Sequence, residues 1–221
     1  MNGFVSQVIQ GAWINVALSL CAILFGLSLS ILFTVGSFSS YPFARWIVFG
    51  LTGILRGVPE LLVLFATYFG GSVVLSALFH KSIEVNAFFS GVFALGLIFS
   101  AYATQTWRGA FLAIASGQSE AAHALGLSRW VIFKKILLPQ AWQHALPGLG
   151  NLWLTLLKDS ALVALIGLAD IMNRSQSAAA TTQQPFKFYL IATGVFLILT
   201  SLSQWLLAKW YRHSRRSLIM T

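Results

Sequence analysis

Residues 117–139, GQSEAAHALGLSRWVIFKKILLP, form a polar and basic segment between long apolar segments. This is the one extended stretch compatible with water in a chain that otherwise has the composition of a membrane protein. We expect Gly117 to break the preceding helix and Ser119 to cap a new one, because a serine hydroxyl accepts a backbone N–H that the first helical turn leaves free. Glu120 then lies in the first turn, where a negative charge suits the positive end of the helix dipole.

Two short helices on the membrane surface are predicted for this segment. Ala121 and Ala122 leave little side-chain bulk on the first helix, so the surface of another protein can approach its backbone closely. Gly126 fits the left-handed backbone conformation that ends such a helix. Ser128 can cap the second helix, and Pro139 helps to end it. The alternative interpretation is an ordinary amphipathic loop at the membrane interface.

The composition places the chain in the membrane. Hydrophobic residues make up 57% of its 221 residues and charged residues 9%, whereas a soluble domain carries about 25% charged residues. The net charge of +9 could indicate a nucleic-acid partner. However, the cations lie in short loops between apolar runs rather than on one solvated face, so we expect no nucleic acid. The single cysteine, Cys21, excludes a disulfide within the chain and a cysteine-rich metal site.

The sequence carries no motif for covalent chemistry. No stretch reads G-x-x-x-x-G-K-[ST], so the chain has no phosphate-binding loop for ATP. No cluster of His, Asp and Glu has the spacing of metal ligands, and no nucleophile stands with a general base. We therefore expect no catalytic residue, no metal site and no cofactor in this chain, and we do not expect an enzyme.

Five segments are long and apolar enough to cross a bilayer, which takes about 20 apolar residues for a helix. The predicted spans cover residues 13–36, 46–69, 88–107, 145–169 and 188–210. No soluble second domain separates them. The prediction is an all-α, polytopic membrane protein with a single transmembrane domain over residues 1–221.

The distribution of lysine and arginine predicts the orientation of these spans, because cytoplasmic loops carry an excess of both. One set of loops, with the C-terminus, holds Arg45, Arg108, Arg129, Lys134, Lys135, Lys209, Arg212, Arg215 and Arg216. The other set holds Lys81, Arg174 and Lys187. We therefore expect an external N-terminus, a cytoplasmic C-terminus and a cytoplasmic position for residues 117–139.

Six positions of the polar segment have a fixed order and spacing: Glu120, Ala121, Ala122, Gly126, Leu138 and Pro139. This order resembles the EAA loop of bacterial ABC importer permeases, the cytoplasmic segment through which an ATPase drives the membrane subunit. Such an order is more specific than a lone short motif, and an ordinary amphipathic loop does not predict it.

Four further stretches extend the resemblance over nearly the whole chain. They are residues 11–18 (GAWINVAL), 55–62 (LRGVPELL), 107–110 (WRGA) and 157–162 (LKDSAL). Together they are similar to the polar amino-acid permease family, in its histidine/arginine/lysine/ornithine branch. Three places depart from the family pattern. Ser119 precedes the Glu-Ala-Ala triad where other polar residues occur. A threonine is usual at or beside Asn15, and Thr-Ser or Thr-Ala is commoner than Ser160-Ala161.

The resemblance implies a fold, a location and partners. The fold is that of a type I ABC importer permease with five transmembrane helices, in the bacterial inner membrane. The implied partners are two copies of a cytoplasmic ABC ATPase that holds ATP and Mg²⁺, a second homologous permease chain in a homodimer or heterodimer, and an extracytoplasmic amino-acid-binding protein. The six EAA positions would couple the permease to the ATPase.

Charged residues at membrane depth suggest a substrate path. A charge there costs about 2.5–3.5 kcal/mol on insertion scales, so it usually faces a cavity or a partner. The residues assigned to the path are Glu60, Lys158, Asp159 and Ser160. The two carboxylates would bind a cationic side chain or an α-ammonium group, and Lys158 or backbone N–H groups would bind an α-carboxylate. The alternative is a structural task for two self-neutralising pairs, Arg56 with Glu60 and Lys158 with Asp159.

The predicted function is that of the transmembrane permease subunit of an ATP-driven importer of polar, in particular basic, amino acids (arginine, lysine, histidine or ornithine). Two alternatives stay open. The chain could be a structural partner in a permease heterodimer that does not contact the cargo. It could also be a subunit of an ion-coupled secondary transporter, against which the EAA loop argues.

Overall fold

The structure, a computed structural model, describes the backbone of residues 2–219 and the side-chain environment of residues 3–212. Residues 2–219 form helices and connecting loops, with no β-strand. The helices are α1 (Asn2–Ser37), α2 (Pro42–Gly57), α3 (Glu60–Phe65), α4 (Gly71–Phe79), α5 (Ala87–Leu112), α6 (Ser116–Ala124), α7 (Arg129–Ile132), α8 (Leu138–Asp159), α9 (Ile171–Thr182) and α10 (Pro185–Ile219). Turns of π-helix at Ala66–Gly70 and Phe133–Leu137 join α3 to α4 and α7 to α8, and a 3-10 segment at Ser160–Ile166 follows α8.

Five helical segments are long and apolar enough to cross a membrane, as the sequence predicts. They are Gly3–Ser37, Glu60–Phe79, Ala87–Leu112, Arg129–Ile166 and Pro185–Arg212. The first, third and fifth contain the spans predicted at 13–36, 88–107 and 188–210 and extend beyond them. The fourth ends at Ile166 rather than at residue 169, because Gly167 adopts a left-handed conformation with φ of 83°.

The second pass through the bundle differs from the span predicted at 46–69. The chain runs through α2 and then through α3 and α4, with a break at Val58 and Pro59. Val58 is extended (φ −97°, ψ 134°), because the residue before a proline is disfavoured in the helical region. Pro59 also lacks the N–H that a continuous helix would use. The predicted span therefore joins the end of one helix to the beginning of another, and Glu60 is the first residue of α3.

Contacts between helices define two ends of the bundle. At one end, which we call the loop end, the C-termini of α1 and α5 meet, and Arg108 donates a hydrogen bond to the Ser37 carbonyl oxygen at 3.1 Å. The segment with α6 and α7 connects α5 to α8 at this end. At the opposite end, the α9 end, Phe4 of α1 packs edge-on against Phe188 of α10, with ring centroids 6.2 Å apart. α1 and α5 therefore run parallel, and α8 returns antiparallel to them.

The main core lies between α1, α5 and α8, where Leu18, Leu95 and Leu156 are buried. Large apolar side chains are exposed on the outer faces of α4 and α10, as expected where lipid covers the surface. Arg215 and Arg216, which contribute to the predicted cytoplasmic positive charge, lie outside the residues whose side chains are described.

Candidate functional site

The first helix of the polar segment, α6, begins about one turn earlier than the sequence predicts. α6 starts after Ala115, whose methyl side chain offers no hydrogen-bond acceptor, and it includes Gly117, Ser119 and Glu120. Ser119 is therefore not the cap, and Glu120 lies beyond the first turn of the helix. The preceding helix α5 already ends at Leu112, so Gly117 does not break it. A helix in solvent tolerates a glycine at a cost of about 1 kcal/mol relative to alanine, which explains why Gly117 does not interrupt α6.

Gly126 ends α6 as predicted. Its φ is 75°, in the left-handed region that glycine adopts without the steric penalty of a Cβ. The Gly126 N–H donates to the His123 carbonyl oxygen at 2.9 Å, and the Leu127 N–H donates to the Ala122 carbonyl oxygen at 3.2 Å. These two bonds satisfy carbonyl groups that the end of the helix would leave free, which is the Schellman arrangement. The turn fixes the direction in which the chain leaves α6.

The second half of the segment is capped as predicted but does not end as predicted. The Ser128 Oγ accepts a hydrogen bond from the Val131 N–H at 3.4 Å and so caps α7. α7 then continues through the π-helical turn into α8, and Pro139 lies in the first turn of α8. The prediction that Pro139 ends the second helix is therefore wrong. Pro139 follows the π-helical turn, in which the Leu138 N–H donates to the Phe133 carbonyl oxygen five residues back, so the regular α-helical pattern is already interrupted where the proline lacks an N–H.

Four residues of this segment that are exposed are together called the loop surface here: Glu120, Ala121, Leu125 and Trp130. Leu125 is 79% exposed and Trp130 67% exposed, although both belong to the polar segment. Ala122 is buried and holds α6 against the rest of the protein. Large apolar side chains exposed beside a charged one are typical of a surface that another protein covers.

Aromatic rings connect the loop surface to the spans. Trp130 stacks on Phe133 with centroids 6.0 Å apart, and Phe133 stacks on Phe111 of α5 at 6.2 Å. Phe111 lies 6.5 Å from Trp107, which in turn lies 5.6 Å from Trp142 of α8. Packed rings therefore join Trp130 of the loop surface to α5 and α8. No sequence pattern indicates Phe111 or this series of contacts, because they join parts of the chain that are distant in sequence.

A cavity of about 270 Å³ lies among α3, α5 and α8. It is lined by Glu60, Leu95, Ile98, Phe99, Tyr102, Leu152, Thr155, Leu156 and Asp159. Glu60 reaches the cavity because the break at Pro59 makes it the first residue of α3. Asp159 reaches it from the last residue of α8. The structure thus brings together two of the four residues that the sequence assigns to a substrate path, and it adds Tyr102 and Thr155.

The other predicted path residues lie elsewhere. Lys158 is exposed, and it is outside the lining of the cavity as the described residues form it. Ser160 is fully buried and accepts a hydrogen bond from the Asn15 Nδ2 at 2.9 Å. Arg56 lies over the ring of Tyr102, with its Cζ 5.6 Å from the centroid. Glu60 and Asp159 converge on one cavity, and Arg56 contacts the Tyr102 ring that also lines it. The alternative of two self-neutralising pairs stays a prediction.

The comparison with known proteins decides the family. The profile of the family described as "Binding-protein-dependent transport system inner membrane component" matches residues 22–214. The chain belongs to this family. It is therefore a multi-pass permease subunit of an ABC transporter, and its fold is that of ABC importer permeases.

Individual members of the family resemble the chain over almost its whole length. The arginine ABC transporter permease protein ArtQ of Escherichia coli (strain K12) is 41% identical, and the match covers 95% of this chain and 94% of that protein. The histidine/lysine/arginine/ornithine transport system permease protein HisQ of the same strain is 32% identical, over 92% of this chain and 91% of that protein. The crystal structure of an amino acid ABC transporter with histidines superposes with a TM-score of 0.86 at 28% identity, covering 96% of each chain.

Proposed function

We propose that this permease subunit forms the translocation path of an ATP-driven importer of amino acids with a cationic side chain, such as arginine, lysine, histidine or ornithine. The observation that carries this proposal is the position of Glu60 and Asp159 on one cavity. The two carboxylates come from different passes through the bundle, and both are half-buried. Carboxylates at membrane depth are costly unless they meet a cation, and a cationic cargo supplies one.

The surroundings of the cavity fit a guanidinium or ammonium group. A carboxylate binds a guanidinium through two parallel charge-assisted hydrogen bonds. The guanidinium of Arg56 lies over the Tyr102 ring, with its Cζ 5.6 Å from the centroid, so this wall of the cavity already packs against a cation. The names of the relatives support the same cargo, since ArtQ is an arginine permease and HisQ a histidine/lysine/arginine/ornithine permease.

The loop surface of Glu120, Ala121, Leu125 and Trp130 is the part of the chain that would bind the ATPase. Gly126 sets the direction of the chain after α6, while Leu138 and Pro139 begin α8 and so transmit a movement to the cavity. We assign ATP, Mg²⁺ and hydrolysis to a separate cytoplasmic ABC ATPase, present in two copies. The permease itself works as a pair with a second homologous permease chain and receives its cargo from an extracytoplasmic amino-acid-binding protein.

The proposal includes an orientation in the bacterial inner membrane. The loop end of the bundle carries Arg45, Arg108, Arg129, Lys134 and Lys135. Because lysine and arginine accumulate in cytoplasmic loops, we place the loop end in the cytoplasm, together with the C-terminus. The N-terminus and α9 are then external. This orientation exposes the loop surface to a cytoplasmic ATPase.

Transport by the reconstituted complex tests the proposed function. The permease is assembled in proteoliposomes with its ATPase, any second permease chain encoded beside it and the binding protein. Uptake of radiolabelled arginine, lysine, histidine and glutamine is measured with ATP on the side of the membrane that carries the ATPase. We expect the three basic amino acids to be taken up in preference to glutamine, which has a similar size but no charge. A preference for glutamine over arginine would refute the assignment of the cargo.

A further inference from the structure

Asn15 ties both ends of the segment 160–170 to α1. Its Nδ2 donates hydrogen bonds to the Ser160 Oγ at 2.9 Å and to the Asp170 Oδ2 at 3.0 Å. Its Oδ1 accepts a hydrogen bond from the Ile171 N–H at 3.1 Å. Both amide hydrogens and the amide oxygen are therefore used. One side chain of α1 holds the beginning of the 3-10 segment and the beginning of α9 at the same time.

These polar groups are completely removed from solvent. Asn15, Ser160 and Asp170 are each 0% exposed, and they come from three separate elements. The second carboxylate oxygen of Asp170 accepts a hydrogen bond from the Asn173 N–H at 2.8 Å. Burial raises the pKa of the Asp170 carboxyl, against the lowering effect of the hydrogen bonds from Asn173 and Asn15. A buried polar group without a partner is costly, so the loss of Asn15 would force this cluster to rearrange.

The backbone around the cluster is packed too closely to move independently of α1. Gly11 lies one helical turn before Asn15, and a Cβ added there would lie 2.6 Å from the Ile171 nitrogen. One further turn back, the Gln7 carbonyl oxygen accepts a hydrogen bond from the Arg174 Nη1 at 3.1 Å. Residues 7, 11 and 15 thus form one face of α1 that follows the path of the chain from Ser160 into α9.

The cluster adjoins the cavity through the backbone. Asp159, which lines the cavity, is the last residue of α8, and Ser160 is the first residue of the 3-10 segment. The Ser160 Oγ also donates to the Leu157 carbonyl oxygen at 2.7 Å, inside the last turn of α8. A change in the backbone angles at Ser160 would change the direction in which the neighbouring Asp159 side chain points. The hydrogen bond from Asn15 opposes that change.

We propose that Asn15, Ser160 and Asp170 are positioning residues that hold the Asp159 carboxylate in place for a cationic cargo. The inference rests on the proposed function of the cavity. It gives Ser160 a task outside the path, in which its hydroxyl anchors the residue beside the path rather than contacting the cargo. A binding group must be held within about 0.5 Å of its productive position by the residues that support it, so removal of the anchor weakens cargo binding without removing the carboxylate.

The first test is the kinetics of Asn15→Ala in the reconstituted importer. We expect the KM for arginine to rise about tenfold, which corresponds to the loss of one hydrogen bond between the Asp159 carboxylate and the cargo. The kcat should stay within about twofold of the wild type. Ser175→Ala is the matched control, because Ser175 is also fully buried but its Oγ donates to the Ile171 carbonyl oxygen within α9. Equal KM values in the two variants, or a lower kcat with an unchanged KM, would overturn the proposal.

The second test reports the position of residue 159 without any transport. Asp159→Cys is made together with Cys21→Ser, and the rate of reaction with a cationic thiol reagent is measured in purified permease with and without Asn15→Ala. We expect the rate to change at least severalfold with Asn15→Ala and to stay unchanged with Ser175→Ala. If the wild type fails to transport arginine, the proposed cationic cargo is wrong. An unchanged labelling rate contradicts only the positioning role of Asn15.

A third variant covers the case in which Asn15→Ala does not accumulate in the membrane. The double exchange Asn15→Asp with Asp170→Asn keeps a carboxylate and an amide in contact. The amide at position 170 donates to the carboxylate at position 15, and that carboxylate still accepts from the Ile171 N–H. Ser160 can donate to that carboxylate as well. We expect the exchange to restore both abundance and the KM for arginine. Restored abundance with a KM still about tenfold above the wild type would make the cluster purely structural and would overturn the proposal.

Discussion

Removal of one carboxylate from the cavity should weaken the binding of cationic amino acids. Glu60→Gln and Asp159→Asn preserve size and remove charge. A hydrogen bond to a charged group contributes about 1.5–3 kcal/mol, and the two carboxylates are half-buried, which places each at the lower end of that range. Since 1.4 kcal/mol corresponds to a factor of ten, we expect each variant to raise the KM for arginine about tenfold. The double variant need not be additive, because both groups line one cavity and would hold one cation.

Uptake of radiolabelled arginine in proteoliposomes measures this effect, with permease abundance and ATP hydrolysis determined in parallel. Glu84→Gln is the matched control, because Glu84 is exposed in the loop between α4 and α5. Glutamine uptake provides a second control, since loss of negative charge should penalise a neutral cargo less than a cationic one. If Glu60→Gln and Asp159→Asn both retain the arginine KM of Glu84→Gln, the cavity does not bind the cationic group and the reasoning fails.

Two further predictions concern packing and orientation. Gly11→Ala should destabilise the permease by about 1–3 kcal/mol, because the new Cβ would meet the backbone of Asp170 and Ile171. Thermal unfolding in detergent measures this effect. Gly53→Ala is the control, because a Cβ at Gly53 has nothing within 4 Å. In intact cells, a membrane-impermeant thiol reagent should label external cysteines and spare cytoplasmic ones. The reporters, each introduced after Cys21→Ser, are Ser82→Cys and Ser177→Cys, which should react, and Ser128→Cys, which should not. Labelling at Ser128→Cys alone would reverse the orientation.

The sequence predicts the features that depend on local composition or on spacing. Apolar segments of sufficient length indicate five passes, because each needs only its own side chains to be stable in lipid. Ser128 and Gly126 have the predicted local conformations, since a cap and a left-handed turn depend on neighbouring residues. The boundaries at Ser119 and Pro139 are wrong, because a short helix can begin without a side-chain cap and because the π-helical turn before Pro139 accommodates the proline without ending the helix.

The candidate site is less accessible to sequence reasoning where it depends on tertiary contacts. Arg56 and Glu60 are four residues apart, and a continuous helix would place them on one face. The break at Pro59 instead places them on different helices: Glu60 begins α3 and lines the cavity, and Arg56, near the end of α2, lies over Tyr102 in the same lining. Ser160 follows Asp159 in sequence but turns to Asn15 in α1, which is far away in the chain. The change from α-helix to 3-10 helix at Ser160 alters the periodicity, and the sequence shows no sign of it.

The measurement that tests the central claim most directly is ATP hydrolysis by complexes with an altered loop. Glu120→Lys reverses the charge of the loop surface, and Gly126→Asp adds a charged side chain where the backbone of glycine is exposed. Aspartate tolerates the left-handed conformation better than most residues, so Gly126→Asp should still insert. Glu84→Lys, at the opposite end of the bundle, is the control.

We predict that both loop variants reach the membrane at normal abundance but retain less ATPase on purification or lose the stimulation of ATP hydrolysis by the binding protein. Glu84→Lys should retain its ATPase. Normal co-purification of the ATPase together with normal stimulated hydrolysis in both Glu120→Lys and Gly126→Asp would contradict the account, because the loop surface would then not couple the permease to its ATPase.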